Sequence, residues 1–176
     1  MKSHLLIILI FILAACGSKN ANINSSTSEI DSLKHDSIYK ESNEAYFSEI
    51  DTFYIVIADT GNDYYALRQQ MFNIAISTGI KIDTLGRYYD KTKNLIQLPN
   101  DDEDEVYRGD YFPRRFPSDH LSLEYLVIYN PQSADKTIAL VTGIFETRHS
   151  ADSALKYISS VQPKAFVVKS EMYTGC

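Results

Sequence analysis

Four aromatic residues, Tyr107, Tyr111, Phe112 and Phe116, stand among three arginines, Arg108, Arg114 and Arg115, within residues 107–117. Guanidinium groups fork onto carboxylates or phosphates, and aromatic faces stack on sugars and other planar groups. This run is therefore the densest recognition chemistry in the chain. The same residue types can also pin a loop to its own domain, with the arginines meeting the acidic run Asp101, Asp102, Glu103, Asp104 and Glu105 just before them. Both roles stay open at the level of sequence. The acidic run offers oxygen ligands for Ca²⁺, but it lacks the alternating ligands and turn glycine of an EF-hand loop, which favours a solvated loop. Covalent and acid–base chemistry has less to work with. His35 falls in a polar stretch, His120 and His149 stand alone, and no HExxH, GxSxG, GxGxxG or P-loop string occurs. No catalytic residue, metal-ligand set or cofactor is expected.

The elements that must position this run lie on either side of it. Residues 52–59 include Phe53, Tyr54, Ile55, Val56, Ile57 and Ala58, a β-branched and aromatic run that reads as a strand. Gly61, Asn62 and Asp63 break it and supply a helix cap, and Tyr64, Leu67, Met71, Ile74, Ala75 and Thr78 then recur at helical spacing up to Gly79. After the run, residues 123–129 and 137–145 read as two strands joined by a polar loop with Pro131. Ser150 caps a second helix with Ala151, Ala154, Leu155 and Ile158 facing inward, and residues 165–168 form a closing strand after Pro163. Strand, helix, two strands, helix, strand is the order of an α+β split β-α-β (ferredoxin-like) fold, an antiparallel sheet with two helices on one face and its other face free. Residues 81–120 are then a long insertion between the halves, and connections of that length in a compact domain are usually functional or disordered.

The 176 residues are 44% hydrophobic and 23% charged, with 13 Tyr, 8 Phe and a formal charge of −6. This balance fits one globular domain with an adequate core and argues against collagen-like, fully disordered and strongly basic nucleic-acid-binding classes. The first residues carry the address. Lys2 precedes an unbroken apolar run over residues 5–15, too short to span a bilayer and shaped like a secretory leader. Leu13, Ala14, Ala15 and Cys16 resemble the bacterial lipobox, in which the cysteine is acylated and becomes the first residue of the mature protein. Residues 1–15 are accordingly expected to be a lipoprotein signal peptide and Cys16 the lipidation site, with the membrane as first partner through the lipid anchor. Gly17, where an Asp would signal inner-membrane retention, favours the periplasmic face of the outer membrane. Residues 16–48 read as the anchor plus a polar tether, about 30 Å in root-mean-square span, and residues 49–176 as the domain. Cys176 is then a lone thiol at the chain end, with no intrachain partner.

A further resemblance comes from Val141, Thr142, Gly143, Ile144 and Phe145, followed by a helix with Ser150, Ala151 and Ala154 and then by Ala165, Phe166, Val167 and Val168. This stretch resembles the second half of a SPOR (sporulation-related repeat) domain, whose strand ending in Gly-x-Phe leads into an Ala-bearing helix and a Val-rich closing strand. Residues 53–60 are similar to its first strand, although Val56 stands where the family often has Gln. The resemblance implies a split β-α-β fold that binds peptidoglycan glycan strands stripped of stem peptides on its open sheet face. Strand alternation places Tyr54 and Val56 opposite Ile55 and Ile57, and Tyr125 and Tyr129 lie on the later hairpin. These four are the candidate sugar contacts, and Arg114 and Arg115 the candidate carboxylate contacts. The alternative is an interaction or regulatory subunit of an envelope assembly machine that meets a protein partner through the aromatic and arginine-rich insertion. Nucleic acid is not an expected partner.

Overall fold

The computed structural model describes residues 49–175, so the leader, Cys16, the tether and Cys176 lie outside the described residues. The apolar run at the start of the domain forms β1 (Ile50–Gly61). Asp63 then caps α1 (Tyr64–Thr78), its side chain accepting from the Tyr65 and Ala66 backbone N–H groups at 2.9 and 3.1 Å. Such a cap contributes about 1 kcal/mol. Gly79 ends the helix in the left-handed region (φ 75°) and returns its N–H to Ala75 O, while Leu67, Met71 and Ile74 turn inward. The remaining elements are a small hairpin of β2 (Tyr88–Asp90) and β3 (Leu95–Gln97), then β4 (Ser122–Tyr125), a 3-10 turn (Leu126–Ile128), β5 (Ile138–Phe145), α2 (Arg148–Ile158) and β6 (Phe166–Tyr173). Among the described residues no helix is long and apolar enough to cross a membrane.

The main sheet has the order β4-β5-β1-β6, antiparallel throughout. Both helices pack on one face of it, where Leu67, Met71, Ile74 and Ile158 meet Ala58, Leu123, Ile138 and Leu140. This is the α+β, split β-α-β arrangement expected from the order of elements. β1 pairs with both β5 and β6, which follow it beyond a helix, while β4 and β5 pair as neighbours in sequence.

Three local expectations need correction. The strand expected over residues 123–129 stops at Tyr125, because Leu126 to Ile128 coil into a 3-10 turn with Tyr129 N–H on Leu126 O. The second helix starts earlier than Ser150: Thr147 is the cap, and Ser150 donates its backbone N–H to Thr147 Oγ1 at 3.2 Å. The closing strand runs eight residues, to Tyr173, instead of four.

The larger correction concerns the sheet face expected to be free. Phe53, Ile55, Ile57, Ala139, Val141, Ile144 and Met172 project from that face, and Leu126 and Tyr129 close over them. The 3-10 turn is what carries these two side chains across. The middle of the face is therefore a second hydrophobic core among the described residues. On the opposite, helix-bearing face Gly143 and Phe145 pair with Val56 and Tyr54, and a Cβ at Gly143 would lie 2.5 Å from the Phe145 ring, so the Gly-x-Phe string lets that ring fold back over its own strand.

Candidate functional site

The insertion is held to the domain by two buried arginines. Arg87 Nη1 and Nη2 donate to Oε2 and Oε1 of Glu124 at 2.7 and 2.5 Å, with both side chains almost wholly buried. Arg87 also donates to Thr84 O and Phe112 O, and the Tyr111 hydroxyl donates to Glu124 Oε2 at 2.6 Å. All these groups share one carboxylate, so removing that carboxylate would strand a buried cation. Burial alone would lower the Arg87 pKa, but the hydrogen bond and charge of Glu124 outweigh it and hold the guanidinium charged. Burial, then the Glu124 charge, keep the Tyr111 hydroxyl protonated well above its ordinary range.

Arg114 forms the second fastening. Its guanidinium donates to Ser118 Oγ, His120 O, Ser122 Oγ and Ser118 O at 2.8–3.0 Å, and its own carbonyl accepts the Tyr129 hydroxyl at 2.9 Å. Among the described residues it has no carboxylate within ion-pair distance, and burial lowers its pKa. Neutral oxygens thus satisfy a buried cation, a costly arrangement that persists only where the hydrogen bonding is complete.

The candidate contacts named from sequence separate on this framework. Val56 is fully buried, Tyr129 and Arg114 are buried against each other's backbone or hydroxyl, and Tyr125 is buried with its hydroxyl accepting from Ile96 N–H at 2.9 Å. Tyr54 and Arg115 are half-buried, and Arg115 donates to the Tyr107 hydroxyl. Tyr54 and Val56 alternate with Ile55 and Ile57 as expected, but it is the Ile pair that points into the second core, so Tyr54 and Val56 share the helix side. Tyr129 lies on the other side. The six residues form no common surface.

A surface that sequence reasoning missed lies where this cover stops. Phe116 is 61% exposed and, with Pro117, walls an open groove of about 480 Å³ whose other lining is Asp51, Thr52, Phe53, Glu146 and Thr174. The start of β1 and the ends of β5 and β6 meet at this end of the sheet, which is why residues so far apart in sequence share it. Thr174 Oγ1 donates to Asp51 Oδ2 at 3.1 Å, fixing one carboxylate at the edge. A second hollow of about 270 Å³ continues past Pro117 and Glu146 to Ser118, Phe145 and Ser150. No protein-family model matches the chain, and no curated protein or solved structure matches it either. The groove must speak for itself: one exposed ring, one buried ring as floor, hydroxyl groups, and two carboxylates that accept hydrogen bonds. Such a site suits a ligand that offers hydroxyl groups and an apolar ring face.

On the far side of residue 118, a wider groove of about 640 Å³ is lined by Lys81, Asp83, Asp119 and His120. His120 Nε2 is 4.0 Å from Asp83 Oδ2 and has no hydrogen-bond partner. Burial, then the nearby Arg114 charge, lower the His120 pKa. Among the described residues no group of three or more metal-ligating side chains could hold a metal ion. Burial and the Arg114 charge both favour the neutral imidazole of His120.

Proposed function

We propose that this chain is a non-enzymatic lipoprotein of the bacterial envelope, anchored at Cys16, whose domain binds cell-wall glycan at the groove beside Phe116. The observation that carries the reading is the exposed Phe116 ring, which shares one open groove with Phe53, Asp51, Glu146 and Thr174 at an end of the sheet. An aromatic face packs against the C–H groups of a sugar ring while carboxylate and threonine oxygens accept its hydroxyls. The site is displaced from the sheet centre because Leu126 and Tyr129 fill that centre. Binding is tested by co-sedimentation of the protein with purified sacculi before and after amidase removal of stem peptides. Uptake by sacculi that falls in the Phe116→Ala protein supports the reading.

A second reading is favoured by the outward side of the insertion, where Val106 is 80% and Tyr88 42% exposed. Apolar side chains left in water on a well-fastened insertion suit contact with a protein partner. Co-purification of a stoichiometric protein that is lost in Val106→Asp would favour it. Excising residues 101–116 is no clean test, since that removes Tyr111 and Arg114 from the interior.

A further inference from the structure

The two edges of the main sheet are treated differently. At the β4 edge the insertion takes up the main-chain groups: Leu121 N–H donates to Lys81 O, Asp83 N–H to Leu121 O, and Tyr125 N–H to the Tyr111 hydroxyl at 3.3 Å. β6 is the opposite edge. It pairs with β1 on one side, and among the described residues no strand pairs with the other. The edge over residues 166–172, left in this state, is a template for another strand.

The side chains along that edge select the strand it takes. Lys169 and Glu171 pair with Tyr54 and Thr52 of β1, so they project from the same face of the sheet, and both are exposed. Val168 and Met172 project from the other face, beside the second core. Antiparallel strands place directly opposed residues on one face, so a symmetric pair of β6 strands must have its twofold axis at a residue. With the axis at Ser170, Lys169 opposes the partner's Glu171 on one face and Val168 opposes the partner's Met172 on the other. With the axis at Lys169 or at Glu171, like charges oppose each other. With the axis at Val168, Lys169 faces the partner's Val167 and Glu171 the partner's Ala165, and neither charge is matched. Only the Ser170 register among these pairs Lys169 with Glu171 and Val168 with Met172.

We propose that β6 is a self-association edge, at which a second copy of this chain pairs antiparallel about Ser170 and extends the four-stranded sheet into one of eight. The charge pair that keeps foreign strands from docking on this edge fits its own copy. The proposal does not depend on the ligand of the Phe116 groove.

The test is sedimentation velocity on the full chain in density-matched detergent, with a reductant present so that Cys176 cannot link two copies. Wild type, Lys169→Glu, Glu171→Lys and the double reversal are compared, with circular dichroism to verify that each is folded. The wild type should dimerise. Each single reversal sets like charges opposite each other at two symmetric places and should weaken the dimer by roughly tenfold. The double reversal restores both opposite-charge pairs and should restore the dimer. A wild type that stays monomeric at roughly 100 µM overturns the proposal, as does a dimer that the single reversals leave unchanged or that the double reversal fails to restore.

Discussion

Arg114 and Phe116 are two residues apart in the same aromatic and arginine-rich run, yet one is 3% and the other 61% exposed. Arg114 gives all its hydrogen bonds to its own domain, and Phe116 gives its ring to solvent above the groove. Composition left recognition and fastening both open for the whole run. Burial divides it into a base that fastens the insertion and a tip that is available to a ligand. The difference teaches that an arginine's role follows from which oxygens already saturate it, and here Arg87 and Arg114 are saturated from within.

This division can be broken most sharply at Glu124. Replacing it with Ala leaves Arg87 a buried cation without its carboxylate, and the folded state should lose about 3–5 kcal/mol, read by urea denaturation. A loss under about 1 kcal/mol would mean that the pair is solvated and the insertion loosely held. Arg114→Met should cost less, about 2–3 kcal/mol, because it leaves carbonyls and hydroxyls unsatisfied but also removes a buried charge. Tyr129→Phe deletes only the bond to Arg114 O and should cost about 1 kcal/mol.

His120 sharpens the comparison through pH. Its folded pKa lies below its unfolded value of about 6.5, so the unfolded chain takes up a proton that the folded chain refuses. Its contribution to stability is complete above about pH 6.5 and is lost as pH falls towards the folded pKa. The loss of stability between about pH 7.5 and about pH 5.5, read from denaturation curves, should be smaller in His120→Asn than in wild type. An identical pH slope in the two proteins would place His120 in open solvent. The smallest effect on stability is expected at the tip: Phe116→Ala should change it by less than about 0.5 kcal/mol.

The fold was legible where local rules and tertiary packing agree. Asp63 and Gly79 bound α1 in sequence and in space, and the inward set Leu67, Met71 and Ile74 follows from helical spacing alone. The order of strands and helices likewise leads to the antiparallel sheet. Prediction failed where side chains must cross from one layer to another. The apolar string from Leu123 to Tyr129 looks like one strand, but Leu126 and Tyr129 are needed over the second core, and the chain coils to deliver them. Glu124 was the one visible anomaly in that string, a charge amid apolar residues, and its partners Arg87 and Tyr111 are 37 and 13 residues away. The groove was hidden for a similar reason. Asp51, Phe116, Glu146 and Thr174 come from four segments that meet only once the sheet is assembled.

On the proposed reading the exposed tip, and no part of the covered sheet face, contacts the wall. The most direct measurement of that contact is co-sedimentation of wild type and Phe116→Ala with amidase-treated sacculi at matched concentrations, with both proteins verified as folded. The account predicts that wild type sediments with the sacculi and that Phe116→Ala stays largely in the supernatant. Equal sedimentation of the two proteins, or none of either, would contradict it.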